Sequence, residues 1–466
     1  MEKSAGEKLV EKLFYKKKHA AEILSCEQIN EAFEFCKGYR GFLDFAKTER
    51  RAVKYVENIV KENGFTEFEN GKKYSVGDKF YYNNRGKSII VVTMGEKPLS
   101  EGVKISAAHI DSPRLDLKQV PVYEDSEIAY FKTHYYGGIR KYQWPTIPLS
   151  LYGTVICSDG RTVEVSIGDG EDDPVFYVSD LLPHLAQNQS KKPLSEAIDA
   201  ESLNLVVASL PFRDDKVSEK VKLNLLNILF EKYGIIEADF LSAELEAVPA
   251  FNSRDIGFDR SLIGAYGHDD RVCAYPALMA ALDCKTPAYT TITVLADKEE
   301  TGSEGNTGLD SAFLKDFIES LCAPHSIAAR DVLSKSECLS ADVNAAFDPN
   351  FAEVYERKNS CYVNYGVVVT KYTGARGKSG TSDASAEYTG KIRNLFDKEN
   401  VIWQTGELGK TDIGGGGTVA KYIAGLNVDV IDVGVPVLSM HSPFEVVSKL
   451  DVYMAYKAFY AFVNQK

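Results

Sequence analysis

The chain has 466 residues, 44% of them hydrophobic and 26% charged, with a formal net charge of −13. That length exceeds one ordinary core, so two domains are expected. The acidic balance excludes a general nucleic-acid binder, which presents a basic face, and no apolar run reaches the roughly 18–20 residues of a membrane-spanning helix.

The N-terminal stretch MEKSAGEKLVEKLFYKKKHA lacks an apolar signal core, so a cytoplasmic location is expected. The eight cysteines are scattered and form no CxxC pair. Buried, reduced thiols are therefore expected in place of a cysteine zinc site. From Cys26 to Asn63 the pattern is helical. Ala52, Tyr55, Val56, Ile59 and Val60 recur at helical spacing, with Thr48 placed to cap the start and Gly64 to end it. Residues 79–95 read as strands. VKISAAH, 103–109, reads as a buried strand with His109 and Asp111 at its end.

From about Val120 to Ala250 the character changes. Short alternating strands (EIAYFKTHYYGG, LSLYGTVICSDG, RTVEVSIGDG) and a more helical stretch from Asp180 to Tyr233 read as an antiparallel α+β insertion. After Gly267 strand–helix alternation resumes. TITVLADKEE, ECLSADVNA, YVNYGVVVTKY and VDVIDVGVPV are apolar runs separated by helical patterns, and a last helix is expected over Phe444 to Val463. The expected fold class is α/β, with a mixed, mostly parallel sheet sandwiched by helices. The main domain covers 1–117 and 253–466, and the insertion 118–252.

In open α/β sheets, ligands bind beyond the C-terminal strand ends. The stretch ADKEETGSEG puts Glu299 and Glu300 at such an end. A bare Glu-Glu pair also suits a solvated acidic loop, so its neighbours decide. His109 is followed by Asp111, which can accept the hydrogen bond of the imidazole nitrogen that does not face a metal. GHDDRVCAYPAL places Asp269 before an apolar helix, where it can cap the helix or bridge two cations; His268 is a further candidate ligand. Asp342 and His441 lie at two more strand ends. Burying Asp342 unpaired would be costly unless a metal compensates its charge. His109, Asp269, Glu300, Asp342 and His441 together offer mixed nitrogen and oxygen donors. Such a set suits Zn²⁺, with Co²⁺ or Mn²⁺ as substitutes. Two such ions polarise a carbonyl and supply hydroxide, and Glu299 is then the natural general base.

Two stretches imitate a phosphate-binding loop, ARGKSGTS and GELGKTDIGGGG. Both fail its spacing, because Tyr372 and Gln404 stand where the first glycine is needed. An NTPase is excluded. Gly414 to Gly417 run into TVAKYIAG, where backbone N–H groups could meet an anion such as a substrate carboxylate; a plain tight turn fits equally well.

Taken in order, SAAHIDSPRLDLK, GHDDRVCAYPAL, ADKEETGSEGNTG, LSADVNAAFDPNF and LSMHSPFEV resemble the aspartyl aminopeptidase and vacuolar aminopeptidase I family of dinuclear zinc metallopeptidases. The resemblance spans nearly the whole chain. It implies a zinc-peptidase-like catalytic domain interrupted by a dimerisation domain, and dimers that assemble into dodecamers. It implies one zinc on His109, Asp269 and Asp342, and a second on Asp269, Glu300 and His441. Glu299 would be the base and Asp111 the residue orienting His109. It also implies that His184, in SDLLPHLAQNQS, reaches a neighbouring subunit's active site. Asp270, Arg271 and the GGGG stretch depart from the eukaryotic aspartyl enzymes and are similar to a bacterial branch with a broader substrate range. The function expected is removal of N-terminal residues from peptides with a free amine. Other readings are a dinuclear amidohydrolase or carboxypeptidase, or a non-catalytic metal-binding assembly subunit.

Overall fold

Nine strands form the largest sheet of the computed structural model, which describes residues 3–170 and 172–466. Four neighbouring strands at its centre run parallel: Thr291–Ala296, Lys104–His109, Glu337–Ser340 and Asp429–Gly434. Antiparallel neighbours flank them, Ser88–Thr93 on one side and Val367–Thr370 on the other. Every residue of Ser88–Thr93, Lys104–His109 and Thr291–Ala296 is buried. That explains why these runs read as continuously apolar, since both faces are covered by helices. Ile89, Val91 and Ala108 pack with the helices Cys26–Phe45, Glu49–Glu62, His268–Asp283 and Lys449–Val463 on one face. Ile90, Val92, Ile105 and Ala107 pack with Phe313–Cys322 and Ala420–Ala424 on the other.

The expected helical stretch from Cys26 to Asn63 is two helices, Cys26–Phe45 and Glu49–Glu62. Thr48 caps the second by accepting from the Arg51 N–H, and Gly64 follows its end at φ +81°.

A seven-stranded antiparallel sheet draws all its strands from one continuous stretch, Arg114 to Pro249, and has its own apolar core. The helical content expected from Asp180 to Tyr233 is concentrated in Lys220–Tyr233, with a short turn at Leu194–Ala197 and a strand, Leu205–Ala208, in between. Buried Arg114 joins this sheet to the main one. Its guanidinium lies 2.7 Å from Asp116, 3.2 Å from Glu246 and 3.3 Å from Glu49.

The main departure from the sequence reading is a five-stranded sheet that contains Arg254–Ile256, Leu262–Ala265, Glu445–Ser448, Pro436–Leu438 and Asn344–Ala345. The runs ECLSADVNA and VDVIDVGVPV are each split between two sheets. Their first halves pair in parallel in the nine-stranded sheet, and their second halves, Asn344–Ala345 and Pro436–Leu438, pair in parallel in the small one. The crossing depends on Gly434, where a Cβ would stand 1.6 Å from the Asp342 carbonyl oxygen. The last helix starts at Lys449, not Phe444. Glu445–Ser448 is instead a strand paired antiparallel with Leu262–Ala265, and Ser448 caps the helix through the Leu450 N–H. The β-branched Val446–Val447 pair favours that extended stretch. No helix among the described residues is long and apolar enough to cross a membrane.

Candidate active site

The parallel strands deliver their chemistry at one edge. His109 ends Lys104–His109, and Glu299 and Glu300 occupy a tight turn three residues after Thr291–Ala296. Asp342 lies where the chain passes from the nine-stranded to the five-stranded sheet. Asp269 and His441 come from the small sheet's side. Asp269 opens the helix that follows Leu262–Ala265, and His441 follows Pro436–Leu438. All five expected donors therefore meet, although two of them do not stand on the main sheet as the sequence suggested.

Asp269 is the pivot. One carboxylate oxygen lies 3.1 Å from His109 Nε2 and the other 3.2 Å from His441 Nε2. His109 Nε2 is also 3.9 Å from Asp342 and 3.8 Å from Glu299, and His441 Nε2 is 3.6 Å from Glu300. Donor atoms of His109, Asp269 and Glu300 lie within 4.8 Å of one another, as do those of His109, Glu299 and Asp342. Glu299 is thus as close to His109 as Asp342 is.

The electrostatics follow from crowding acids in a poorly solvated place. Burial, then the charges of Glu299 and Asp269, push the Asp342 carboxyl well above its ordinary range. Burial and Asp269 do the same to Glu300. Burial, with Asp111 and Asp269 adding to it against His109, raises Glu299 to about 7. Burial also acts on Asp269, but hydrogen bonds from His109 and His441 outweigh it and hold this carboxylate well below its usual range. Among the described residues, only histidines stand within ion-pair distance of Asp269, Glu299, Glu300 or Asp342. One buried oxygen of Glu300 has no hydrogen-bond partner among the described residues. Four converging carboxylates, two imidazole nitrogens and an orphaned carboxylate oxygen form a donor set that fits divalent zinc.

A second layer holds these groups. Asp111 accepts from the Glu299 N–H at 3.1 Å, from the Glu300 N–H at 3.2 Å and from the Tyr136 hydroxyl at 2.7 Å. Its carboxylate lies 3.3 Å from His109 Nδ1. Buried Glu445 accepts from the Asp269 N–H at 3.1 Å and the His441 N–H at 2.7 Å. Neither Glu445 nor Tyr136 was found from the sequence. Glu445 falls in what looks like a helix start, although its place four residues after His441 was a signal. His268 stands apart. It meets the Tyr39 hydroxyl at 2.7 Å and the Ile263 carbonyl at 3.1 Å, and burial lowers it to about 3, so it serves the core.

A cavity of about 440 Å³ opens over the site. Asp269, Glu299, Glu300, Asp342 and His441 line it, together with Gly415–Gly417 of the GGGG stretch. The following helix, Ala420–Ala424, has only five residues. His184 lies on an exposed turn of the seven-stranded unit and is not among the cavity's lining residues.

The sequence model described as "Aminopeptidase I zinc metalloprotease (M18)" matches residues 42–463. The chain belongs to the M18 family of zinc aminopeptidases. It is 48% identical over 446 residues to a probable M18 family aminopeptidase 1 of Clostridium acetobutylicum, a match covering 94% of this chain and 96% of the relative. The crystal structure of an M18 aminopeptidase from Thermotoga maritima superposes with a TM-score of 0.92 at 43% identity, covering 97% of this chain and all of that one. The S. cerevisiae mApe1 dodecamer shares the fold at 22% identity and a TM-score of 0.76, covering 94% of this chain and 97% of that one. Family membership makes the protein a metalloaminopeptidase, which sets aside the amidohydrolase, carboxypeptidase and inert-scaffold readings.

Proposed function

We propose that this M18 aminopeptidase works with two metal ions and Glu299 as its general base, removing N-terminal residues from peptides that carry a free amine. The observation that carries the reading is Asp269, whose two oxygens each face one imidazole. His109, Asp269 and Asp342 would hold one ion, and Asp269, Glu300 and His441 the other. Bound zinc supplies Lewis acidity toward the scissile carbonyl and toward water.

The chain's own residues do the rest. Glu299, raised to about 7, is poised to take a proton near neutral pH and return it to the leaving amine. Its carboxyl is not tied up by Asp111, which binds only its backbone N–H. Asp111 fixes the turn so that Glu299 and Glu300 take different roles. The walls of the cavity, including the main chain of Gly415–Gly417, hold the peptide and limit water.

Residues 118–252 form a dimerisation unit in this reading, and His184 from one subunit completes the site of another. The subunits assemble toward a dodecamer, as in the yeast protein. A Glu299→Gln variant should keep its zinc and fold while turnover falls about 10²–10⁴-fold. Near-normal turnover would remove Glu299 from the base role.

A further inference from the structure

The metal centre described above is touched from outside by one short piece of the seven-stranded sheet. The strand Ile128–Tyr136 ends there and continues into Gly137 and Gly138. Tyr136 donates its hydroxyl to Asp111 at 2.7 Å. Gly138 offers its carbonyl to His441 Nδ1 at 2.8 Å. Gly137 passes between them at φ +74°, and a Cβ there would stand 3.1 Å from a Glu300 carboxylate oxygen.

These contacts set tautomers. A backbone carbonyl only accepts, so His441 Nδ1 keeps a proton, and Nε2, which faces Asp269, is the nitrogen left to a metal once its own proton is displaced. His109 Nδ1 faces the Asp111 carbonyl at 3.1 Å and the Asp111 carboxylate at 3.3 Å, both acceptors, so its Nε2 is likewise the nitrogen available to a metal. The Asp111 carboxylate can accept in this way only while it is held still. Among the described residues, Tyr136 is its one side-chain donor besides His109. The Tyr136 ring is fixed by the Arg114 guanidinium, 3.9 Å from the ring centroid, and Arg114 is itself anchored to Glu49 and Glu246. Burial pushes the Tyr136 hydroxyl upward, keeping it protonated as a donor.

We propose that Tyr136–Gly138 is a positioning strap: one end orients His109 through Asp111, and the other orients His441 directly. The seven-stranded unit thereby aims both histidines at their metals. Tyr136 and Gly138 are positioning residues and touch no substrate. The inference rests on the two-metal reading above.

The test is zinc binding to chelator-stripped protein, measured by competition with a metal-sensitive dye. His109→Ala and His441→Ala variants identify which binding step belongs to which ion. Tyr136→Phe keeps the ring on Arg114 and removes only the donor. It should weaken the His109 step about tenfold or more, within the range for lost outer hydrogen bonds, and leave the His441 step within about twofold. In Gly138→Ala, the new Cβ would stand 3.2 Å from His441 Nδ1 and so crowd it. It should weaken the His441 step and spare the other. Steady-state kinetics on zinc-saturated Tyr136→Phe should show the loss in kcat more than in KM. If the unaltered protein takes up fewer than two zinc ions, the two-metal reading fails. If it takes up two and Tyr136→Phe binds both as tightly, or loses both equally, the strap is overturned while that reading stands. Should Tyr136→Phe fold poorly, the selectivity of Gly138→Ala decides alone.

Discussion

Asp342→Asn should make the zinc-stripped protein more stable and the zinc-loaded protein less so. In the stripped state Asp342 lies within 4.8 Å of Glu299, with no cation but histidine nearby. Two like charges at that distance repel by about 3.5 kcal/mol at an effective dielectric constant near 20. The folded chain avoids part of that cost by holding a proton, since burial and its acidic neighbours raise the Asp342 carboxyl well above its unfolded value. The sign follows from proton counting. Below the unfolded pKa both states are protonated and the group contributes nothing. As pH rises past that value the unfolded chain releases its proton first, so stability falls steadily until the folded pKa is reached. Stripped wild-type protein should therefore lose stability from about pH 4 toward pH 8 more steeply than stripped Asp342→Asn, with a gap at pH 8 on the order of 3 kcal/mol. With zinc the ranking should invert, because a neutral amide is a poor ligand for the ion. Thermal unfolding of both proteins, with and without zinc, at pH 5 and pH 8 makes the comparison. Equal slopes for the stripped pair would refute the repulsion, and equal zinc stabilisation would refute Asp342 as a ligand.

Three further outcomes are expected. Gly434→Ala should destabilise the fold severely, by several kcal/mol on denaturant titration, since its Cβ would overlap the Asp342 carbonyl at 1.6 Å. Arg114→Met strands Glu49 and Glu246 without their buried partner and should cost about 3–5 kcal/mol, read from the same titration. His184→Ala should leave zinc content and subunit mass by light scattering unchanged and lower turnover about 10²-fold, the scale of losing one oxyanion donor; unchanged turnover would place His184 outside the site.

Much of the site was legible because its donors follow runs that pattern alone identifies. VKISAAH and TITVLA are continuously apolar and buried on both faces, so what lies just beyond them, His109 and the Glu299–Glu300 pair, stands out. The small sheet was not legible. Asn344–Ala345 and Pro436–Leu438 are two and three residues long, too short to read as strands of a second sheet, and each follows directly on a run that reads as one strand. It rests on contacts between distant parts of the chain, such as the close approach of Gly434 to the Asp342 carbonyl. Glu445 was missed for a related reason. An acidic residue before an amphipathic helix looks like a favourable first-turn charge, whereas here it is a buried acceptor for two backbone N–H groups of the site. Tyr136 sits in an alternating strand where tyrosine is ordinary, and nothing local separates its hydroxyl from that of Tyr135.

The order of strands in the main sheet has a consequence for synthesis. The strand carrying His109 is made before both of its neighbours, Thr291–Ala296 and Glu337–Ser340, and His441 comes later still. Translation at about 5–20 residues per second leaves roughly 330 residues, and therefore tens of seconds, between the first histidine and the second. Through that interval the ribosome holds a chain with the His109 strand made and no complete cluster of donors. A peptidase built in this way has no complete site to turn on nascent neighbours until His441 has been made.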